Sequence, residues 1–204
     1  MIEKETRVMR FGETLADIDP LIAGRWSSRA IDPEIPVERE VVFRLLEAAR
    51  WAPSSFNNQS WRYIVLTQDD SEALEKGRDA LVPGNAWATV APVLFYVLGK
   101  KHFAGKSTEN WRRLYEAGLS AITMAYQAVR EGLVFHQMAG YSIDKVRAHF
   151  SVPEEYDIIA AIAVGYPGEN PKLTGSKLEM ETEKRERLSH EELFSWNGWN
   201  IRES

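Results

Sequence analysis

Apolar positions recur along this chain with two periods. Residues 37–52 set Val41, Leu45 and Ala49 on one stripe beside Val42, Leu46 and Trp51, the spacing of a half-buried helix, and Pro53 predicts its end. Three runs have strand length and β-branched or aromatic residues: Trp61 to Thr67, Pro92 to Leu98 and Asp157 to Gly165. The last two are apolar on both faces, which predicts central strands covered by helices. The longest helical pattern runs from Asn110 to Glu131, and Gly132 stops it. Its expected inward stripe is Trp111, Leu114, Tyr115, Gly118, Leu119, Ile122, Ala125, Tyr126 and Val129. Gly118 and Ala125, with Ala117, Ser120, Ala121 and Ala128 alongside, would let another backbone approach closely, in the core or at a subunit interface. Ser142 is the expected N-cap of a further helix that carries Val146, His149 and Phe150 inward and ends before Pro153.

Composition narrows the functional classes. A length of 204 residues suits one compact domain, expected to span residues 1–204, and 27% charged residues against 44% hydrophobic ones speak against disorder. A net charge of -5 disfavours a general nucleic-acid binder, which needs a basic face, yet leaves room for a local anion site. With no cysteine, disulfides, thiolate catalysis and Cys-based metal sites are excluded. His102, His136, His149 and His190 show no ligand spacing, so they read as structural or surface residues and no metal is expected. The N-terminus lacks the apolar stretch of a secretion signal and no run approaches the ~20 apolar residues of a membrane span. The expectation is a cytoplasmic protein.

Two polar clusters flank the first helix. Arg25, Ser27, Ser28 and Arg29 put two guanidinium forks and two hydroxyls within five residues, a set suited to a phosphate monoester, although a charged loop uses the same letters. Beyond the helix, Ser54, Ser55, Asn57, Asn58 and Gln59 contain no acid; uncharged amides and hydroxyls suit a planar heterocycle, and PSSFNN is also a good turn. Residues 168–192 are polar and charged and lead into Phe194, Trp196 and Trp199. Those rings either dock on another surface, such as a second subunit, or fold back on their own domain.

The order of these pieces, RxSxR, a helix ending in APSSxNxQxW and an apolar strand, resembles the N-terminal half of the FMN-dependent nitroreductase family. The resemblance continues through the small-residue helix, HQMAGY at 136–141, VGYPGE at 164–169 and RERL at 185–188. It implies an α+β fold, a mixed central sheet flanked by helices, with the long helix in a homodimer interface and a C-terminal arm, residues 168–204, crossing to the partner. It further implies FMN as cofactor and NAD(P)H as co-substrate for two-electron reduction of a small-molecule electron acceptor. The same scaffold also serves enone or semialdehyde reduction, dehalogenation or heterocycle oxidation, and a flavin-binding protein without turnover is the reading from another class.

Carried over by position, the resemblance implies that Arg25 and Ser27, with Trp26 between them, hold the flavin phosphate, and that Arg185 and Arg187 close on it. Arg29 would sit near the N1 and C2 carbonyl edge of the ring, where reduction concentrates negative charge. Pro53, Ser54, Ser55 and Asn57 would reach the flavin of the other subunit. Gly140, beside Ala139, matches a glycine whose N–H points at flavin N5, and Asn85 matches a polar contact to the ring edge. Two departures stand out. Ser60 replaces the usual proline, with an expected effect on turn rigidity alone, and residues 1–24 form an N-terminal extension beyond the usual short lead-in.

Overall fold

The computed structural model of this protein describes residues 8–201. The first seven residues of the expected N-terminal extension, and the last three of the arm, lie outside the described residues. Helices are α1 (Pro20–Gly24), α2 (Arg39–Arg50), α3 (Ser71–Asp79), α4 (Arg113–Arg130) and α5 (Ile143–Phe150), with two single turns in the arm. Strands β1 (Trp61–Thr67), β2 (Val93–Lys100), β3 (Val134–Met138) and β4 (Tyr156–Gly165) form one sheet in the order β1-β2-β4-β3.

The α+β class holds, but every ladder among the described residues is antiparallel, where a mixed sheet was expected. A lone helical crossover returns a chain parallel to the strand it left. Here α3 is followed by a 3-10 segment, Pro83–Val90, and together they bring the chain back to the end of the sheet that β1 left, so that Thr67 faces Val93.

As their two apolar faces predict, β2 and β4 are the central strands. Val93, Phe95, Val97, Ile162 and Val164 point to one side, where Val41, Leu45 and Ala49 of α2 and the small residues of α4 cover them. Leu94, Tyr96, Leu98, Ala161 and Ala163 point to the other, beneath Leu74 of α3, Trp87 and Val146 of α5. Trp51, expected inward on α2, is exposed, and its indole N–H donates to Glu47 (2.8 Å).

Helix α4 corrects a second expectation. Ala117, Ser120, Ala121, Met124, Ala125 and Ala128 are its buried face, while Trp111, Leu114 and Tyr115 point outward and Gly118 faces open space. Two stripes of this helix are apolar, one small and one large. Periodicity locates both, but only packing decides between them, and the small one lets the helix lie close over Phe95 and Val97. In the arm, Asn170 and Leu173 are buried against the body, while Trp196 and Trp199 are each 84% exposed within the chain. Among the described residues no helix is long and apolar enough to cross a membrane.

Candidate functional site

The RWSSR segment leaves a short helix with defined ends. The Asp19 carboxylate accepts from the N–H of Leu21 (2.8 Å), Pro20 opens α1, and the turn closes at Gly24, delivering Arg25. Behind the segment, the carbonyl of Ser28 accepts from Nδ1 of buried His136 on β3 (3.0 Å). That imidazole lies against Trp87, ring centres 4.6 Å apart. Burial is the main reason its pKa falls to about 4, and Arg29 and Arg25 push it the same way against the pull of the Ser28 carbonyl. The ring is therefore neutral near pH 7, with its proton on Nδ1 facing the carbonyl.

The arm fastens this segment from the other side. Glu181 accepts from the Ser28 hydroxyl (2.7 Å) and the Arg29 N–H (2.9 Å), and its carboxylate is 3.9 Å from the Arg29 guanidinium, which also lies over the Trp87 ring. Arg185 donates to the carbonyls of Arg10, Ala23 (2.8 Å) and Arg25 (2.9 Å), so it ties segments together. Arg25 makes a long bond to the Ser27 hydroxyl (3.4 Å), and Arg187 bonds the adjacent Glu186 carbonyl (2.7 Å).

Arg25, Arg185 and Arg187 meet at a cavity of about 290 Å³ that Ile122 and Tyr126 also line, walled by the N-terminal segment through Gly12, Glu13, Thr14, Ile18 and Ile22. Burial lowers the pKa of Arg25, and Arg187 adds to the effect against Tyr126; burial also lowers that of Arg185, reinforced by Arg187, Arg25 and Arg10. Positive charge is thus gathered at a partly buried site, where an anion would relieve it. The Glu13 carboxylate on the wall lies 4.0 Å from Lys184. A larger cleft, about 800 Å³, carries Asp32, Glu34 and Glu169 and none of the expected site residues, so its charge favours no anion.

The second cluster is built differently. Ser55–Asn57 forms a 3-10 turn in which Phe56 (φ 52°) and Asn57 (φ 54°) are left-handed, followed by Gln59 (φ 47°). Ser54 Oγ accepts from the Gln59 N–H (2.9 Å). Beneath it, the buried Glu116 carboxylate accepts from the Ser55 N–H (2.9 Å), the Ser60 hydroxyl (2.5 Å) and Asn110 Nδ2 (2.9 Å). Pro53, Phe56 and Asn57 stay exposed, Phe56 by 96%.

None of residues 53–57 lines the arginine cavity. Helix α4 measures the gap: Tyr126 borders the cavity and Glu116 holds the turn, ten residues or about 15 Å along the axis. Gly140 belongs with the arginine side through Trp87 and its neighbour Asn85. The Gly140 carbonyl accepts from the N–H of Val82 (3.2 Å) and from Asn85 Nδ2 (2.9 Å), while its own N–H has no acceptor among the described residues. A Cβ there would lie 2.6 Å from Asn85 Nδ2 and 2.8 Å from a Val82 methyl, so a larger residue would push these side chains aside. Ala139 is exposed beside it.

The nitroreductase family model matches residues 22–166, most of the chain. The chain belongs to the nitroreductase family. A crystal structure described as an oxidoreductase containing FMN superposes with a TM-score of 0.85 at 25% identity, covering 94% of this chain and 97% of that one. An NADH dehydrogenase of Thermus thermophilus is 28% identical over 165 residues, 66% of this chain and 79% of that enzyme. An enone reductase of CLA biosynthesis from Lactiplantibacillus plantarum is 28% identical over 105 residues, half of this chain and 46% of that enzyme, so this chain spans just under half its length.

Within this family member, one chain brings Arg25, Arg185 and Arg187 to one cavity, which Trp26, Ser27 and Arg29 do not line, and joins Asn85 to Gly140, the neighbour of Ala139; it leaves Pro53, Ser54, Ser55 and Asn57 elsewhere. Three residues, Glu116, Arg10 and Glu181, escaped the sequence reading. Glu116 carried a usable signal, as the one charge in the run from Leu114 to Tyr126. Ser60 does more than the expected change in turn rigidity, because its hydroxyl anchors that carboxylate. Arg10 and Glu181 sit in charge-rich stretches where nothing in the letters separates a fastening residue from a solvated one.

Proposed function

We propose that this chain is an FMN-dependent oxidoreductase using NAD(P)H for two-electron reduction of small acceptors such as nitroaromatics or quinones, in a ping-pong cycle at sites shared by two identical chains. The observation that carries this reading is the guanidinium-lined cavity at RWSSR in a nitroreductase-family chain of net charge -5. The donor set fits a phosphate monoester. Arg25, Ser27 and Arg187 have donor capacity left for phosphate oxygens, and Arg185, both Nη atoms on carbonyls, adds charge and shapes the wall. Trp26, beneath the Arg10 guanidinium, braces the segment from outside.

FMN, when bound, supplies hydride-accepting and hydride-donating chemistry, and the protein supplies binding, orientation and electrostatics. Arg29, kept in place by Glu181 and Trp87, is the cation for the ring's N1 and C2 edge, with its field partly offset by Glu181. Asn85 and Val82 engage the Gly140 carbonyl, and the N–H of that residue would be the donor offered to ring atom N5. Pro53, Ser54, Ser55 and Asn57 are assigned to the flavin of the partner chain, since Glu116 holds their turn about 15 Å along α4 from the arginine cavity. The outward apolar face of α4 and the exposed arm rings give the two chains apolar surface to share.

The test is the absorption spectrum of the purified protein, followed by anaerobic mixing with NADPH or NADH. A yellow protein that bleaches supports the reading. A colourless protein that also fails to take up added FMN overturns it, and a yellow one that never bleaches makes it a flavin binder without turnover. The names of the relatives, an enone reductase and an NADH dehydrogenase, favour a second reading in which the same site serves another acceptor. Turnover across nitroaromatics, quinones and enones separates the two.

A further inference from the structure

Residues 9–24 precede or only just enter the segment that matches the family, yet they form one wall of the arginine cavity. Met9 pairs with Arg25 in an antiparallel bridge, and the Arg10 N–H donates to the Gly24 carbonyl (2.8 Å). A Cβ on Gly24 would lie 2.9–3.1 Å from three atoms of the Met9 side chain, so the N-terminal segment is packed directly on the helix end. Arg10 then reaches away from the cavity. Its guanidinium donates to the carbonyls of Met180 (3.4 Å), Glu181 and Glu183 in the arm, and Arg185 returns the contact by donating to the carbonyl of Arg10.

We propose that residues 9–24 and 180–187 form a two-sided clasp over the phosphate end of the flavin site, with Arg10 as its positioning residue. The inference rests on the FMN reading above and adds a function for the N-terminal segment. Each half of the clasp holds the other by backbone carbonyls, which guanidinium groups engage without being neutralised. The cations therefore stay available to the phosphate while the wall is fixed. Arg10 itself lines no part of the cavity; it acts through the arm that carries Arg185 and Arg187. A phosphate held there leaves only when this wall opens, so loosening the clasp speeds cofactor release.

The experiment compares release of FMN and of riboflavin, which lacks the phosphate, followed by flavin fluorescence after dilution of the loaded holoprotein. Arg10→Ala, which removes all the guanidinium's bonds to the arm, is expected to speed FMN release about tenfold, equivalent to roughly 1.4 kcal/mol, while riboflavin release stays within about twofold on the same reasoning. Arg10→Lys, which still donates to carbonyls, is expected to recover most of the difference. Gly24→Ala, which displaces Met9 while keeping every arginine, provides a second route to an open clasp and should also speed FMN release selectively. Unchanged FMN release in both the Arg10→Ala and the Gly24→Ala variants, or equal acceleration of FMN and riboflavin, overturns the clasp. Absence of FMN binding by the unmutated protein would instead overturn the cofactor assignment, so the two failures are distinguishable.

Discussion

Single side chains under the site do two jobs at once, holding backbone and setting protonation. His136 is buried, with a pKa of about 4 against an ordinary value near 6.5. As the pH is lowered through 6.5 the unfolded chain therefore takes up a proton, while the folded chain refuses it down to about 4. The sign follows: this contribution to stability is fully present above pH 6.5 and is lost as pH falls towards 4, on the order of 3 kcal/mol in all. Urea unfolding at a series of pH values should show that decline, and His136→Gln should flatten it; an equal slope in both proteins would remove His136 as the cause. Glu116 works in the opposite chemical sense, as a carboxylate that only accepts, from three donors at once. Glu116→Gln turns an amide N–H towards one of those donors and should cost about 1.5–3 kcal/mol, a hydrogen bond to a charged group. Denaturant unfolding measures this, and the left-handed Phe56 and Asn57 should lose their order first in hydrogen exchange.

At the scale of elements, α4 runs from the turn that Glu116 holds to the arginine cavity and leaves a large apolar stripe exposed within the chain. Trp111, Leu114 and Tyr115 are exposed together at its start. Leu114→Glu places a charge on that face without touching the core, and should convert a dimer to monomers at micromolar concentration, read by analytical ultracentrifugation, with thermal stability of the monomer fold retained. A species of unchanged mass would take α4 out of the interface. The elements also show what letters alone disclose. Strands β1, β2 and β4 and helices α2, α4 and α5 were legible because their apolar runs and their stops at Pro53, Gly132 and Pro153 are local signals. Strand β3 was hidden because the polar pair His136 and Gln137 interrupts Val134, Phe135 and Met138, and only pairing with β4 makes the run a strand. Strand direction and the orientation of α4 were not legible, since both are settled by contacts between segments far apart in sequence. The same limit applied to the site: RWSSR and PSSFNN announced themselves, but their fastenings, Glu181 and Glu116, lie 153 and 61 residues away from Ser28 and Ser55.

For the whole molecule, the test is whether the two clusters serve two flavins. Arg25→Ala and Asn57→Ala should each give inactive homodimers. In a two-fold heterodimer of the two variants, one site collects both changes and the other none. About half of randomly mixed dimers are heterodimers, so roughly a quarter of all sites should regain full activity. Co-expression with differently tagged chains isolates that species, and a folded heterodimer that stays colourless and inactive would return both clusters to one chain.

The distance in sequence between the clasp's halves has a further consequence for how the protein is made. Arg185 must reach back 175 residues to the Arg10 carbonyl, and Glu181 reaches back 153 residues to Ser28. The four strands and the helices that cover them precede the arm in the chain, so they leave the ribosome first. The arginine cavity therefore cannot be completed until Arg185 and Arg187 have emerged, after the last strand of the sheet. Binding of a phosphate-bearing cofactor at this cavity is therefore expected to follow formation of the sheet and not to guide it, so flavin-starved cells should still yield folded apoprotein that takes up added FMN, read by its recovered yellow colour.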